Sequence, residues 1–169
     1  MLAFLNVLLD ICLLRRGPDA LPAVPLAALL VSIVYVALGM ALEPTQPPPV
    51  YLPWRPLFSL VASFVVVAGL LSIHQKSERL LQTWTAFAGC GSLVTLAAAP
   101  MLYSFAYARE HQREAEPLGV LLLFVLIFWS IVIDAHIFRS ALSTRFSLGL
   151  AWALLSFMVL YLGRSILFP

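Results

Sequence analysis

Long apolar stretches separated by short polar segments make up most of the chain. Five of them approach the roughly 20 residues that a membrane-spanning helix needs, and they cover residues 21–42, 57–74, 84–106, 118–138 and 146–162. None shows the short alternation of polar and apolar residues that is typical of a membrane β-barrel. A helix satisfies its own backbone hydrogen bonds, which lipid cannot do. The pattern predicts an all-α, polytopic transmembrane helix bundle that forms a single domain.

The first 16 residues predict an additional short helix. Their apolar run is too short to cross a hydrocarbon core. Ala3, Asn6 and Asp10 recur at helical spacing and leave one narrow polar side, which is typical of an amphipathic helix in the membrane interface. Gly17 and the proline after it would end the helix. A helix packed against the bundle explains the same residues equally well, so the sequence leaves both arrangements open.

Basic residues in the loops predict the orientation, because lysine and arginine resist translocation. One predicted side, termed the basic rim, carries Arg15, Arg16, Lys76, Arg79, Arg139 and Arg145. The other side carries Arg55, Arg109, Arg113 and Arg164. The side with six basic residues is expected to be cytoplasmic and the side with four to be external. This places the N-terminus in the cytoplasm and the C-terminus outside, in a bacterial inner membrane. The basic rim would attract acidic lipid headgroups.

Composition agrees with a membrane protein. The 169 residues are 62% hydrophobic and 11% charged, whereas about 25% of residues are charged in a soluble domain. The net charge of +2 is too small and too scattered for nucleic-acid binding. The lipid bilayer and other membrane proteins are the expected partners. Cys12 and Cys90 lack metal-binding or redox spacing, so we expect reduced, packed thiols and no cofactor.

The first loop on the predicted outer side is rich in proline. Residues 43–56 contain six prolines, a density that excludes helix and favours an extended polyproline conformation. Its expected use is a stiff spacer between two spans, with docking of a partner protein as the alternative. Tyr51 and Trp54 would anchor it to the headgroups.

Small residues at near-helical spacing mark the third span. Gly89, Gly91 and Ser92 are among them, and such residues permit the close contact through which helices associate in lipid. We therefore expect the third span to be the central helix. A transporter would use the same glycines and Pro100 to break a helix, but no second half with a matching interruption is present.

Asp134 is the most informative ionisable residue, because a charge inside a membrane is costly and marks a candidate functional site. We predict a polar cluster of Asp134, His74 and Arg139 near the cytoplasmic end, since the second span ends at the same level. The cluster would be either a structural clamp between two helices or a proton-accepting or ion-coordinating site. Asp134 and His136 do not share a helix face.

Enzyme signatures are absent from the sequence: it has no HExxH zinc pair, no GxSxG elbow and no glycine-rich phosphate loop. Three non-enzymatic hypotheses remain. The first is a bundle that binds partner proteins or organises lipid. The second is a small transporter or permeation subunit that uses Asp134 with His74. The third is an accessory subunit of a larger membrane complex.

Two stretches resemble the Yip1-like family of small five-span membrane proteins. They are QTWTAFAGCGSLVTLAAAPM at 82–101 and FWSIVIDAHIFRSALSTRFSLGLAWALL at 128–155. The resemblance covers about half of the chain and implies the five-span topology. Eukaryotic members carry a cytosolic N-terminal region and act with small GTPases in vesicle traffic. This chain has only a short apolar N-terminal segment, so GTPase binding is not implied, and the resemblance transfers no catalytic residue.

Overall fold

The computed structural model describes residues 2–42, 54–114 and 116–168. These residues form helices without any strand, which confirms the all-α prediction. The helices are α1 (Leu2–Cys12), α2 (Pro25–Leu42), α3 (Trp54–Ile73), α4 (Leu80–Glu110), α5 (Pro117–Leu142) and α6 (Phe146–Leu167). The predicted polyproline conformation of the first loop concerns residues 43–56. Residues 43–53, and with them the anchoring role of Tyr51, lie outside the described residues. For residues 54–56 the prediction is wrong: they form the first turn of α3, where a proline is tolerated because its missing N–H has no helical partner to lose.

Five of these helices, α2 to α6, are long and apolar enough to cross a membrane. The last three spans are longer than predicted. α4 begins four residues earlier than predicted and continues to Glu110, and α5 continues to Leu142. A hydrophobic run marks the part of a helix that lies in lipid, whereas the helix itself continues into the polar residues beyond. Pro25 and Pro117 each open a helix, where the missing N–H costs nothing.

The α4 helix lies at the centre of the bundle. It contacts α1, α2, α3 and α5, and α5 and α6 form an antiparallel hairpin beside it. Its buried residues are mostly small or hydroxyl-bearing and fall between Thr83 and Ala98. Pro100 lies within α4, and the helix continues through it. Close approach of several neighbours to one helix is what small side chains permit in lipid.

The N-terminal helix α1 is packed against the bundle, which is the second of the two arrangements that the sequence left open. Leu8 and Ile11 are buried against α4 and α5, with Ile11 0% exposed. The Cys90 thiol donates to the Leu8 carbonyl at 3.8 Å, and the Trp129 indole donates to the Cys12 carbonyl at 3.2 Å. The interfacial helix predicted for residues 1–16 is therefore shorter, and one of its faces is covered by protein.

The turn between α3 and α4 caps the end of α5. Arg79 donates to the Ala141 carbonyl at 3.2 Å and to the Ser143 hydroxyl at 3.1 Å, and Lys76 donates to Ser143 at 3.0 Å. Ser143 has a left-handed backbone (φ 55°) that ends α5. Cations placed at a helix C-terminus bind its last carbonyls and complement the helix dipole.

Candidate functional site: a polar cavity inside the bundle

A cavity with a mixed polar and apolar lining lies between the spans and has two adjoining chambers. The Asp134 chamber has a volume of about 190 Å³, and the Arg164 chamber has a volume of about 240 Å³. Residues from all five spans line each chamber. The residues that line both are Tyr35, Val94, Thr95 and Ser130. The two chambers, together termed the central cavity, thus meet where α2, α4 and α5 face one another.

Helical spacing explains which side chains reach the central cavity. On α5 the lining residues include Ile127, Ser130 and Asp134, which are three and four positions apart. On α2 they include Tyr35 and Gly39, four positions apart. Residues three or four apart lie on one face of a helix. Each span therefore turns one consistent face toward the central cavity.

Asp134 is half-buried in its chamber, eight positions before the last residue of α5. At a rise of about 1.5 Å per residue, that is about 12 Å from the helix end. In the described part of the chain, no hydrogen bond or ion pair involves its carboxylate. Tyr35 and Cys90 line the same chamber. A carboxylate inside a membrane is costly unless it is paired, so this one is a candidate functional group.

The Ser63 hydroxyl is the second polar group in the Asp134 chamber that lacks a partner among the described residues. Ser63 is 2% exposed, and its Oγ atom makes no hydrogen bond. The Ser130 hydroxyl, in contrast, donates to the carbonyl of Ile127 on its own helix at 2.8 Å. Buried polar groups in proteins nearly always have a partner. The Ser63 hydroxyl and the Asp134 carboxylate are thus available to a ligand or to water.

The opposite end of the central cavity is cationic. Arg164 of α6 lines the second chamber and is half-buried. Arg55, at the start of α3, is buried and donates to the Phe168 carbonyl at 3.4 Å, while the Phe168 N–H donates to the Arg164 carbonyl at 3.0 Å. Tyr35 lines both the chamber of Asp134 and the chamber of Arg164. The cavity is thus acidic at one end and basic at the other.

The structure does not join the predicted cluster of Asp134, His74 and Arg139 by any hydrogen bond or ion pair in the residues it describes. The His74 Nδ1 atom lies 2.9 Å from the Leu70 carbonyl, and the imidazole ring makes a T-shaped contact with the Trp152 ring, with the centroids 5.9 Å apart. Arg139 is exposed. Five residues along a helix correspond to a turn of about 140°, so Asp134 and Arg139 face different directions. Similar depth in the membrane did not bring these side chains together.

The basic rim is used in two ways. Lys76 and Arg79 cap α5 as described above, and Arg16 forms an ion pair with Asp10 at 3.1 Å. The remaining members of the basic rim are exposed at the surface: Arg15, Arg139 and Arg145. Only the second group is available to lipid headgroups without breaking a contact on the protein.

The small residues of α4 serve different neighbours. A Cβ atom added to Gly89 would lie 2.8 Å from the Leu8 side chain of α1, and one added to Gly91 would lie 3.2 Å from the Tyr35 ring of α2. Ser92 donates to the carbonyl of Ala88 on its own helix at 2.8 Å. The absence of a side chain at Gly89 therefore allows α1 to approach α4. At Gly91 it leaves space for the Tyr35 ring, which lines both chambers.

The two cysteines are free thiols that lie together although they are far apart in sequence. A hydrogen bond with Cys90 lowers the pKa of Cys12, against the opposite effect of burial. This contact joins α1 to α4, and Cys90 also lines the Asp134 chamber. In the described residues no group of three histidine, cysteine or acidic side chains is arranged to hold a metal ion.

Sequence reasoning found Asp134 but missed the residues that share its cavity. Ser130 lies four positions before Asp134, and that spacing already indicates a shared face. The other polar side chains of the cavity lie within a predicted apolar segment, as Tyr35 and Ser63 do, or just beyond its end, as Arg164 does. A polar residue in such a place is a signal that it points into the bundle. The predicted partners were the charged residues at the helix end, whereas the cavity is lined by polar residues from inside the other spans.

The fold and the cavity together define a helical, polytopic membrane protein with a polar site between its spans. Comparison with known proteins finds no matching family model, no matching curated protein and no matching solved structure. The chemistry of the site is given by its side chains. A carboxylate accepts a proton or the hydrogen bonds of a cation, a hydroxyl accepts or donates, and a guanidinium binds anionic oxygens.

Proposed function

We propose that this protein is a non-enzymatic permeation protein or permeation subunit of a larger membrane complex, in which a small solute enters the central cavity. Asp134 is the group that receives the positive charge of the solute or a proton. The proposal rests on one observation: an Asp134 carboxylate without a partner among the described residues, in a cavity that all five spans line. A carboxylate with a purely structural role would be paired, because an unpaired charge in lipid destabilises the fold.

The rest of the cavity supports this role for Asp134 and gives none to His74. Tyr35 and Ser63 line the Asp134 chamber, whereas His74 bonds within its own helix. The count of basic loop residues supports a cytoplasmic N-terminus in a bacterial inner membrane. In that orientation Asp134 lies toward the cytoplasm, and Arg164 lies toward the outer surface. A solute would thus meet the basic end of the cavity first from outside and the acidic end first from inside.

Exchange of Asp134 for asparagine tests the proposal. The native protein is reconstituted into two sets of proteoliposomes. One set contains a pH-sensitive dye that reports proton influx, and the other is offered a mixture of radiolabelled small amines and amino acids. The native protein should increase influx over protein-free vesicles. Asp134→Asn should lose at least about nine-tenths of that increase, because a charge-assisted hydrogen bond contributes roughly 1.5 to 3 kcal/mol. Asp19→Asn, which changes an exposed carboxylate outside the cavity, is the matched control. No influx above the vesicle background, or equal influx in both variants, would rule the proposal out.

The exposed part of the basic rim favours a second role, the binding of anionic lipid. A basic side chain near an acidic surface contributes about 1 kcal/mol. Exchange of Arg15 and Arg145 for glutamate should therefore remove most of the rise in melting temperature that phosphatidylglycerol vesicles give over phosphatidylcholine vesicles. Arg113→Glu, at the other end of the bundle, should leave that rise unchanged. An equal rise for all variants would exclude the lipid role.

A further inference from the structure

We infer that the Asp134 chamber binds a primary ammonium group that carries one compact apolar substituent, of about the size of a benzene ring. This inference rests on the proposed function, since it names the class of solute that Asp134 receives. Among the described residues that line the Asp134 chamber, Asp134 alone is charged. Arg164 lines the other chamber and is already engaged within the protein, so the site consists of the Asp134 chamber by itself.

The Asp134 carboxylate and the Ser63 hydroxyl belong to side chains at a similar depth in the bundle. Asp134 is eight positions before the end of α5 and Ser63 is ten positions before the end of α3, which places their Cα atoms about 12 and 15 Å from those ends. The two helix ends lie together, because Lys76 and Arg79, just after α3, donate to the residues that end α5. Both side chains line the same chamber. One solute can therefore contact both.

These two groups suit an ammonium group better than a proton or a metal ion. An ammonium has three N–H donors, of which the carboxylate accepts one or two. The Ser63 hydroxyl, 2% exposed and without a partner among the described residues, accepts another. A proton would occupy the carboxylate and leave the Ser63 hydroxyl unsatisfied, and the described residues assemble no group of three side chains that could hold a metal ion. An ammonium satisfies both buried groups at once.

The rest of the chamber lining favours a compact apolar substituent on the ammonium group. Its apolar side chains are Phe87, Val94, Ile133 and Leu160, and the Tyr35 ring lines it as well. Aromatic rings also attract a cation that lies against their faces. The chamber has a volume of about 190 Å³, and a cavity of about 150 Å³ already holds benzene. A ring-sized group therefore fits, whereas a proton or a bare ion would leave most of that volume unfilled.

Three probes of related shape test the inference. Benzylamine carries an ammonium group beside its ring, benzyl alcohol replaces that group with a neutral hydroxyl, and benzyltrimethylammonium keeps the charge but has no N–H donor. Each is titrated against the purified, detergent-solubilised protein while the melting temperature is measured. We expect benzylamine to bind roughly ten-fold or more tightly than either analogue, because it alone makes charge-assisted hydrogen bonds. Benzyl alcohol also reports any effect of the ring on the detergent micelle.

Two variants locate the bound ammonium group. Asp134→Asn should weaken benzylamine roughly ten- to hundred-fold and remove its advantage over benzyl alcohol. Ser63→Ala, which keeps the charge of the chamber, should weaken benzylamine roughly three- to ten-fold, the loss expected for one hydrogen bond. Asp19→Asn and Ser156→Ala are the matched controls, since Asp19 is an exposed carboxylate, Ser156 is a hydroxyl only 3% exposed, and neither is among the residues that line the two chambers. Both should bind benzylamine like the native protein.

The outcomes separate this inference from the proposed function. Equal or tighter binding of benzyl alcohol or benzyltrimethylammonium overturns the inference, and so does the absence of a shift with benzylamine. Unchanged benzylamine binding in either chamber variant overturns it too. If influx in proteoliposomes still depends on Asp134 in that case, the permeation function stands with a proton or a different solute. If benzylamine binds as inferred but no influx depends on Asp134, the chamber is a binding site and the permeation function falls.

Discussion

Exchange of Gly149 for alanine should lower the free energy of unfolding by about 2 to 3 kcal/mol, the cost of overpacking a well-packed contact. Gly149 lies in α6 at its contact with α5. A Cβ atom there would collide with the Ala135 carbonyl oxygen and would lie 3.0 Å from the Arg139 backbone nitrogen. Backbone atoms cannot rotate away as a side chain can. The two helices of the hairpin would have to separate.

Gly69→Ala is the matched control for this prediction. A Cβ atom added to Gly69 of α3 meets nothing within 4 Å, and alanine favours a helix over glycine by about 1 kcal/mol. Gly69→Ala should therefore be neutral or slightly stabilising. Titration with sodium dodecyl sulfate, followed by circular dichroism, measures both variants. Equal stability of the two would contradict the close backbone contact between α5 and α6.

The same contact ties stability to the candidate site. Ala135, whose carbonyl Gly149 approaches, is the next residue after Asp134 on α5, and Arg164 is on the partner helix α6. The close contact between the two helices therefore sets the separation of the two charges in the central cavity. A methyl group at position 149 should change binding in the cavity as well as stability. If the contact at Gly149 did not set the separation of the two charges, the exchange would change stability and leave binding in the cavity unchanged.

The five spans could be predicted from the sequence because the energetic requirement is simple. Lipid demands about 20 apolar residues in a helix, and each run appears in the printed sequence. The ends could not be predicted as well, since a helix continues past the lipid into polar residues. α4 continues through Arg109 to Glu110, and α5 through Arg139 to Leu142. Apolar composition carries no information about that extension.

The candidate site was only partly predictable, for a different reason. Asp134 stands out because a charge in an apolar run is rare. Its cavity partners lie on other helices, and which helix faces meet depends on how each helix is rotated about its axis. In a soluble protein the polar face fixes that rotation. In lipid the outward face is apolar and the inward face is largely apolar as well. Polar residues such as Tyr35 and Ser63 therefore indicate inward positions, but the sequence did not indicate that they line the same chamber as Asp134.

The second large effect is expected from exchange of Ile11 for alanine, at the contact between α1 and the bundle. Ile11 is 0% exposed between α4 and α5, whereas Leu9 of the same helix is 47% exposed. Exchange of a buried isoleucine for alanine costs about 2 to 5 kcal/mol in a soluble core. Lipid is as apolar as the buried site, so undocking does not expose Ile11 to water. The exchange therefore loses only packing contacts, and we expect it to weaken the docking of α1 by about 1 kcal/mol. That amount should raise the population of undocked α1 roughly five-fold.

Labelling of Cys12 by a membrane-permeable maleimide measures that population. Cys12 lies one residue after Ile11, and in a Cys90→Ala background it is the sole thiol of the chain. Ile11→Ala should be labelled faster than the background protein, by up to roughly five-fold, because docking of α1 partly covers Cys12 and undocking exposes it fully. Leu9→Ala, which removes a similar side chain from the exposed face, should leave the rate unchanged. Equal rates for the two variants would mean that α1 does not depend on Ile11 for its place beside Asp134.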